Sequence, residues 1–189
     1  MILLALLAAL ALPGPQPALP SDLPPGLHRV EMKPVPRNHG RTTREVVPFQ
    51  TSEAPGTIII SNTDRTLHLV LGGGKAARYS ISVGRDGFLW TGTTTVGRKA
   101  EWPEWRPPAA MRQRDPSLPN MVPSGPYNPL GARALYLFSG GGDTLYRIHG
   151  TNTAETVGGY ETSGCFRLSN ADVMELYDQV RMGAKVIVK

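Results

Sequence analysis

The sequence predicts a mostly-β domain with short helices, and three observations carry that prediction. Short β-branched or alternating apolar runs recur from residue 57 onward, glycine-rich turns separate them, and one amphipathic helix pattern follows the only cysteine. An apolar content of 40% in 189 residues suits one ordinary core with a tail.

The elements follow in chain order. Residues 2–12, ILLALLAALAL, are too short to span a bilayer but match the apolar core of a secretory signal, and Ala9-Leu10-Ala11 offers a small-x-small cleavage pattern. No Lys or Arg precedes the run, which departs from the usual signal. Residues 1–20 are therefore expected to be a signal peptide or apolar N-terminal segment, residues 21–56 a Pro-rich, poorly ordered tether, and residues 57–189 the folded catalytic domain. This organisation implies export to the periplasm or cell envelope, with no transmembrane helix in the mature chain.

Thr57 to Ser61 (TIIIS) reads as a strand, and Thr66 to Leu71 (TLHLVL) alternates, with Leu67, Leu69 and Leu71 on one face and His68 on the other. Gly72-Gly73-Gly74 then turns the chain into a partner strand, Ala76 to Val83; the triplet lacks the Lys-Ser/Thr ending of a phosphate loop. Between Gly84 and Gly131 lies a long stretch with Trp90, Trp102 and Trp105 among prolines, readable as a functional cover or as aromatics that only pack the loop down. Arg133 to Phe138 and Tyr146 to Ile148 read as strands around the turn 139–143. Ser169, with Asp172 three residues on, caps a helix whose apolar positions are Val173, Leu176, Tyr177 and Val180; Gly183 ends it before a closing strand, Lys185 to Val188.

The net charge of +5 is scattered, without a run of five basic residues or a groove-reading helix, so nucleic acid is not an expected partner. One cysteine cannot form an internal disulfide, so Cys165 is either a buried small side chain or a nucleophile. Of the four histidines, His28 and His39 fall in the expected tether and His68 in an early strand. His149 is the economical candidate for a base, although a core histidine bonded to backbone is its plainer alternative. Gly164 removes a side chain from the approach to the sulfur and lets the amides of Gly164 and Cys165 face a carbonyl oxygen. Arg167 reads either as a clamp for a substrate carboxylate or as a brace paired to an acid. Taken together, these residues point to catalysis with Cys165 as the nucleophile.

The pattern His149-Gly150-Thr151-Asn152 followed by Ser163-Gly164-Cys165-Phe166-Arg167-Leu168 closely resembles the active-site signature of the bacterial L,D-transpeptidases, the YkuD-like domain. The segments Val96 to Pro103 with Pro107-Pro108, and Asn128 to Leu137, resemble further parts of that family, so the likeness runs from about residue 57 to 189. The resemblance implies a β-sandwich-like catalytic domain that needs no metal and no cofactor. It implies Cys165 as nucleophile, His149 as base and acid, the Gly150 carbonyl as the group that orients His149, and the Gly164 and Cys165 amides as oxyanion donors. Arg167, Ser163, Thr151 and Asn152 are the expected substrate-binding residues. Many members carry a second histidine where Ser163 stands, so no such role exists here. The implied reaction is attack on the diaminopimelate carbonyl of a peptidoglycan stem tetrapeptide, release of D-alanine, and transfer from the thioester to an amine of another stem or of a wall-attached or outer-membrane protein. Hydrolysis of the same thioester and a non-catalytic peptidoglycan-binding module are the alternatives.

Overall fold

The structure, a computed structural model, describes residues 42–189. The expected signal segment, the tether up to residue 41, His28 and His39 lie outside the described residues. The chain forms strands β1 (Glu45–Pro48), β2 (Ile58–Ser61), β3 (Thr66–Gly72), β4 (Lys75–Ser80), β5 (Val83–Gly84) and β6 (Gly92–Glu101), then the short helix α1 (Ala109–Arg114). Strands β7 (Arg133–Ser139) and β8 (Gly142–His149), a 3-10 turn at Ala154–Thr156, β9 (Tyr160–Thr162), β10 (Phe166–Arg167), helix α2 (Asn170–Gln179) and β11 (Lys185–Val188) complete it.

Nine strands pair in the order β1-β4-β3-β2-β11-β6-β7-β8-β10, and β5 pairs with β9 in a small second sheet. The mostly-β class expected from the sequence is the one observed. Its layers belong to one continuous sheet that curls around α2. In a flat sheet β4 and β7, five steps apart in that order, would lie about 24 Å from each other. Yet α2 packs on β7 and β8 and also meets the β4 end, where the Tyr79 hydroxyl donates to Glu175 and Arg44 pairs with Glu175 at 3.0 Å. Just past β4, Ser82 exchanges backbone hydrogen bonds with Arg167 of β10, at 2.8 and 3.0 Å, which brings the two ends of the curl together. Leu67, Tyr79, Leu135, Leu137, Ile148, Phe166, Val173, Leu176 and Val186 share the resulting core.

Helix α2 begins where the sequence indicates: the Ser169 hydroxyl accepts the Asp172 N–H at 3.1 Å. The Asp172 carboxylate turns elsewhere, accepting from the Thr42 hydroxyl at 2.7 Å and from the Thr43 amide and hydroxyl at 3.0 and 2.8 Å. This corrects the tether boundary, because residues 42–48 are docked: two threonines satisfy a buried carboxylate, and β1 adds to the edge of β4. A four-residue strand with Val46 half exposed has no core-facing period to betray it. The alternation of β3 also breaks. A register shift between Val70 and Gly72 buries Val70 and turns Leu71 outward. His68, on the face opposite Leu67 and Leu69, is half-buried and stacked on Phe49 with ring centroids 4.5 Å apart.

Inside the long Trp/Pro stretch the structure places β6, between β11 and β7. Its GTTTVGRKAE sequence has a single core side chain, Val96, and a register shift at Gly97, so the strand period is interrupted midway. The partner strand read as 76–83 is divided into β4 and β5, and β8 begins earlier than expected, at Gly142.

Candidate active site

Strands β6, β7, β8 and β10 carry the site on the face away from α2. Across them Arg98 pairs with Tyr136, Tyr136 with Arg147, Ala134 with His149, and His149 with Arg167. Strand alternation sends Leu135, Leu137, Ile148 and Phe166 into the core, leaving Tyr136, Arg147, His149 and Arg167 on the opposite face. Phe166 pairs with Ile148, so Cys165, one residue earlier, falls beside Arg147 and faces the same way as His149. Cys165, the residue just before β10, and His149, the last of parallel β8, are diagonal neighbours, with backbones roughly 8 Å apart.

Cys165 is partly buried and donates weakly to the Leu145 carbonyl at 3.9 Å. Burial pushes its thiol above the ordinary value; the Arg147 amide and guanidinium pull it back, and Asp143 adds to the rise. His149 is 7% exposed and its Nδ1 lies 2.6 Å from the Gly150 carbonyl oxygen. A carbonyl only accepts, so Nδ1 carries the proton and Nε2 is left as the basic nitrogen. Burial, only partly offset by that carbonyl, lowers the imidazole from 6.5 to about 4, and the charges of Arg167 and Arg147 add to the fall. At neutral pH the pair therefore rests as thiol and neutral imidazole.

Gly164 shapes the approach to the sulfur. Its φ of +102° suits glycine, and a Cβ there would meet Tyr146 at 2.5 Å. Trp90 donates from its indole to the Gly164 carbonyl at 2.8 Å and stacks on Tyr146 at 4.6 Å. The Gly164 amide itself donates to the Thr162 hydroxyl at 3.2 Å, and that hydroxyl donates to the Cys165 carbonyl at 2.6 Å. Of the two amides expected to face a substrate oxygen, Gly164 is thus held by its own loop. Leu145, beside the thiol, is a non-glycine residue in the left-handed region with φ +65°. Strain of this kind, on the order of 1–3 kcal/mol, gathers at functional sites.

A cavity of about 310 Å³ opens on this face, lined by Cys165 and Ser163 together with Arg98, Trp105, Tyr136, Leu145 and Arg147. His149, Arg167, Thr151 and Asn152 do not line it. The Arg167 guanidinium pairs with Glu161, the contact that the brace reading expects. Thr151 is buried, its hydroxyl bonded within the turn to Thr153, and Asn152 donates to the Tyr127 carbonyl at 3.2 Å. Both side chains therefore help to hold loops beside the site.

Sequence reasoning missed Asn170. Its side-chain oxygen accepts the Ala132 and Thr151 amides at 2.8 and 3.2 Å, and its nitrogen donates to the Thr151 carbonyl at 2.8 Å. It ties the turn after His149 to α2, and a Cβ on Gly150 or Gly131 would sit 2.2 Å from its oxygen. Arg98, Tyr136 and Arg147 were missed as well and become visible only through strand register, whereas Trp90 was noted among the aromatics of the long stretch.

The fold and site together define a β-rich domain with a cysteine and a tautomer-fixed histidine on neighbouring strands. The chain belongs to the L,D-transpeptidase catalytic domain family, YkuD, which matches residues 55–188. It is 43% identical over 97 residues to the probable L,D-transpeptidase ErfK/SrfK of Escherichia coli (strain K12), covering 49% of this chain and 30% of that protein. A solved structure described as a probable carnitine operon oxidoreductase from Brucella melitensis is 45% identical, with TM-score 0.53, over 77% of this chain and 92% of that one. An L,D-transpeptidase from Mycobacterium tuberculosis H37Rv shares the fold at 19% identity and TM-score 0.53, over 70% and 57% of the two chains. The chain spans less than half the length of the first curated relatives it matches. Among the described residues no helix is long and apolar enough to cross a membrane.

Proposed function

We propose that this protein is a cysteine acyltransferase acting on peptidoglycan stem peptides. The Cys165 sulfur attacks the carbonyl at the L-centre of diaminopimelate in a tetrapeptide stem, its proton passing to Nε2 of His149. The same proton then goes to the departing D-alanine amine as the C–N bond breaks, leaving a thioester. An amine of a second stem, or a lysine of a wall-attached protein, attacks that thioester and gives its proton back through His149, restoring the thiol. The Cys165 amide is the proposed oxyanion donor, and release of the Gly164 amide by the Thr162 hydroxyl would supply a second; such a donor contributes roughly 3 kcal/mol to the transition state.

One observation supports this reading above the rest: Cys165 and His149 share a face on paired strands, with the Gly150 carbonyl holding Nδ1 so that the other nitrogen is the acceptor. The triplet Gly72-Gly73-Gly74 forms the β3–β4 hairpin turn, with positive φ at all three, and leads into a strand, not into the helix that a dinucleotide-binding glycine turn opens. Residues 1–20 are proposed as the export signal and 21–41 as the tether, which would put the domain in the periplasm or cell envelope.

Incubation of the purified full chain with a defined tetrapeptide muropeptide, with products identified by mass, tests the proposal. Cross-linked dimer with free D-alanine is the expected result. Tripeptide alone would mean hydrolysis, and unchanged substrate would end the enzymatic reading.

A further inference from the structure

We propose that Arg98 is the specificity-determining anchor for a carboxylate of the acyl-donor peptide, the far carboxylate of the diaminopimelate residue whose other end Cys165 attacks. This rests on the acyl-transfer reading above. The register across β6, β7, β8 and β10 forms a row, Arg98, Tyr136, Arg147, Cys165, on the face that lines the cavity. The bulge at Gly97 creates the row. Val96 pairs with Leu137 and Arg98 with Tyr136, so the extra residue moves Arg98 out of line with core-facing Leu135, which meets Lys99 instead. A Cβ on Gly97 would meet the Phe138 ring at 2.4 Å, so the bulge accepts only glycine.

Tyr136 carries a guanidinium 4.2 Å from its ring centre from Arg98 and another at 4.3 Å from Arg147. The two differ in what their N–H groups meet. Arg147 donates to both oxygens of Asp143, at 2.7 and 2.9 Å. Arg98 has one long contact, 3.5 Å to the Tyr136 hydroxyl, and no carboxylate partner among the described residues. Arg106, also at the cavity, is paired with Glu104. Arg98 is thus the guanidinium left uncompensated at this wall, stacked and pre-oriented, with its N–H edge open to a bidentate carboxylate. Three strand spacings separate its backbone from that of Cys165, about 14 Å, a span that two side chains and the length of one diacid residue bridge.

The test compares two donor tetrapeptides, one with the far diaminopimelate carboxylate free and one with it amidated. Wild-type kcat/KM is expected to favour the acid by about 10- to 100-fold. In Arg98→Gln this ratio should collapse to near one, mainly through KM, and Arg98→Lys, which keeps the charge but not the fork, should fall between. A ratio that survives Arg98→Gln, or a wild-type preference for the amide, overturns the assignment. Calorimetric binding of both peptides to the full-length Cys165→Ala protein, with and without Arg98→Gln, decides it without turnover. Acid-selective affinity lost with Arg98 supports the anchor even if no transfer is ever seen, and equal or absent binding sinks it.

Discussion

The two faces of β7 and β8 are built from the same two strands to opposite ends. Leu135, Leu137 and Ile148 point toward α2 and are fully buried in apolar contact. Tyr136, Arg147 and His149 alternate with them and face polar partners, a cavity and the thiol loop. Backbone strain lies on that second side, at Leu145, the non-glycine residue with φ +65°. A period of two lets one strand pair hold the fold with one set of side chains and present chemistry with the other, so damage to the two faces should be separable.

The largest expected effect is on the outer face alone. Cys165→Ala should abolish D-alanine release from tetrapeptide muropeptides while the thermal midpoint stays close to wild type, and retained release would dissolve the distinction. His149→Gln should slow acylation about 10²- to 10⁴-fold, read as the rate at which the acyl-enzyme mass appears. On the inner face, Leu135→Ala should cost about 2–5 kcal/mol in urea unfolding, with alkylation of Cys165 in the folded protein near the wild-type rate. A loss of thiol reactivity out of proportion to the unfolded fraction would show that the faces are coupled.

His149 allows a sharper separation by pH. The unfolded imidazole takes its proton near 6.5 and the folded one only near about 4, so the unfolded chain holds the extra proton between those values. Stability should therefore fall as pH drops from about 6.5 towards 4, by roughly 3 kcal/mol, and His149→Gln should remove that slope. The smallest effect lies far from the cavity. Thr43→Val takes a hydroxyl donor from buried Asp172 and should cost about 1–3 kcal/mol of stability without changing donor selectivity. Cutting the chain after residue 41 should spare the domain, whereas cutting after residue 50 removes β1 and both threonines and should destabilise it.

Much of this was legible beforehand. Glycine triplets mark turns because positive φ is cheap only there, and a serine with an acid three residues on marks a helix start because free amides need an acceptor. Hence β2, β3, β7, β11 and α2 were readable, and the His149, Gly164 and Cys165 signature pointed to the family. Strand β1 and the tethering threonines were hidden, since Asp172 reads as a local cap until a segment about 130 residues away is seen to bond it. Strand β6 was hidden by its threonines and its bulge.

Residue types, turns and the helix cap are local properties, and the sequence by itself determined them, together with the presence of one thiol and a histidine able to serve it. Which groups remain available was decided only by the tertiary structure. The Gly164 amide is held by Thr162, the Arg167 guanidinium by Glu161, and Arg98 is brought into the row of Cys165 by a one-residue bulge. Hydrogen bonds and register between distant strands follow from how the sheet curls, and no short stretch of chain contains that information.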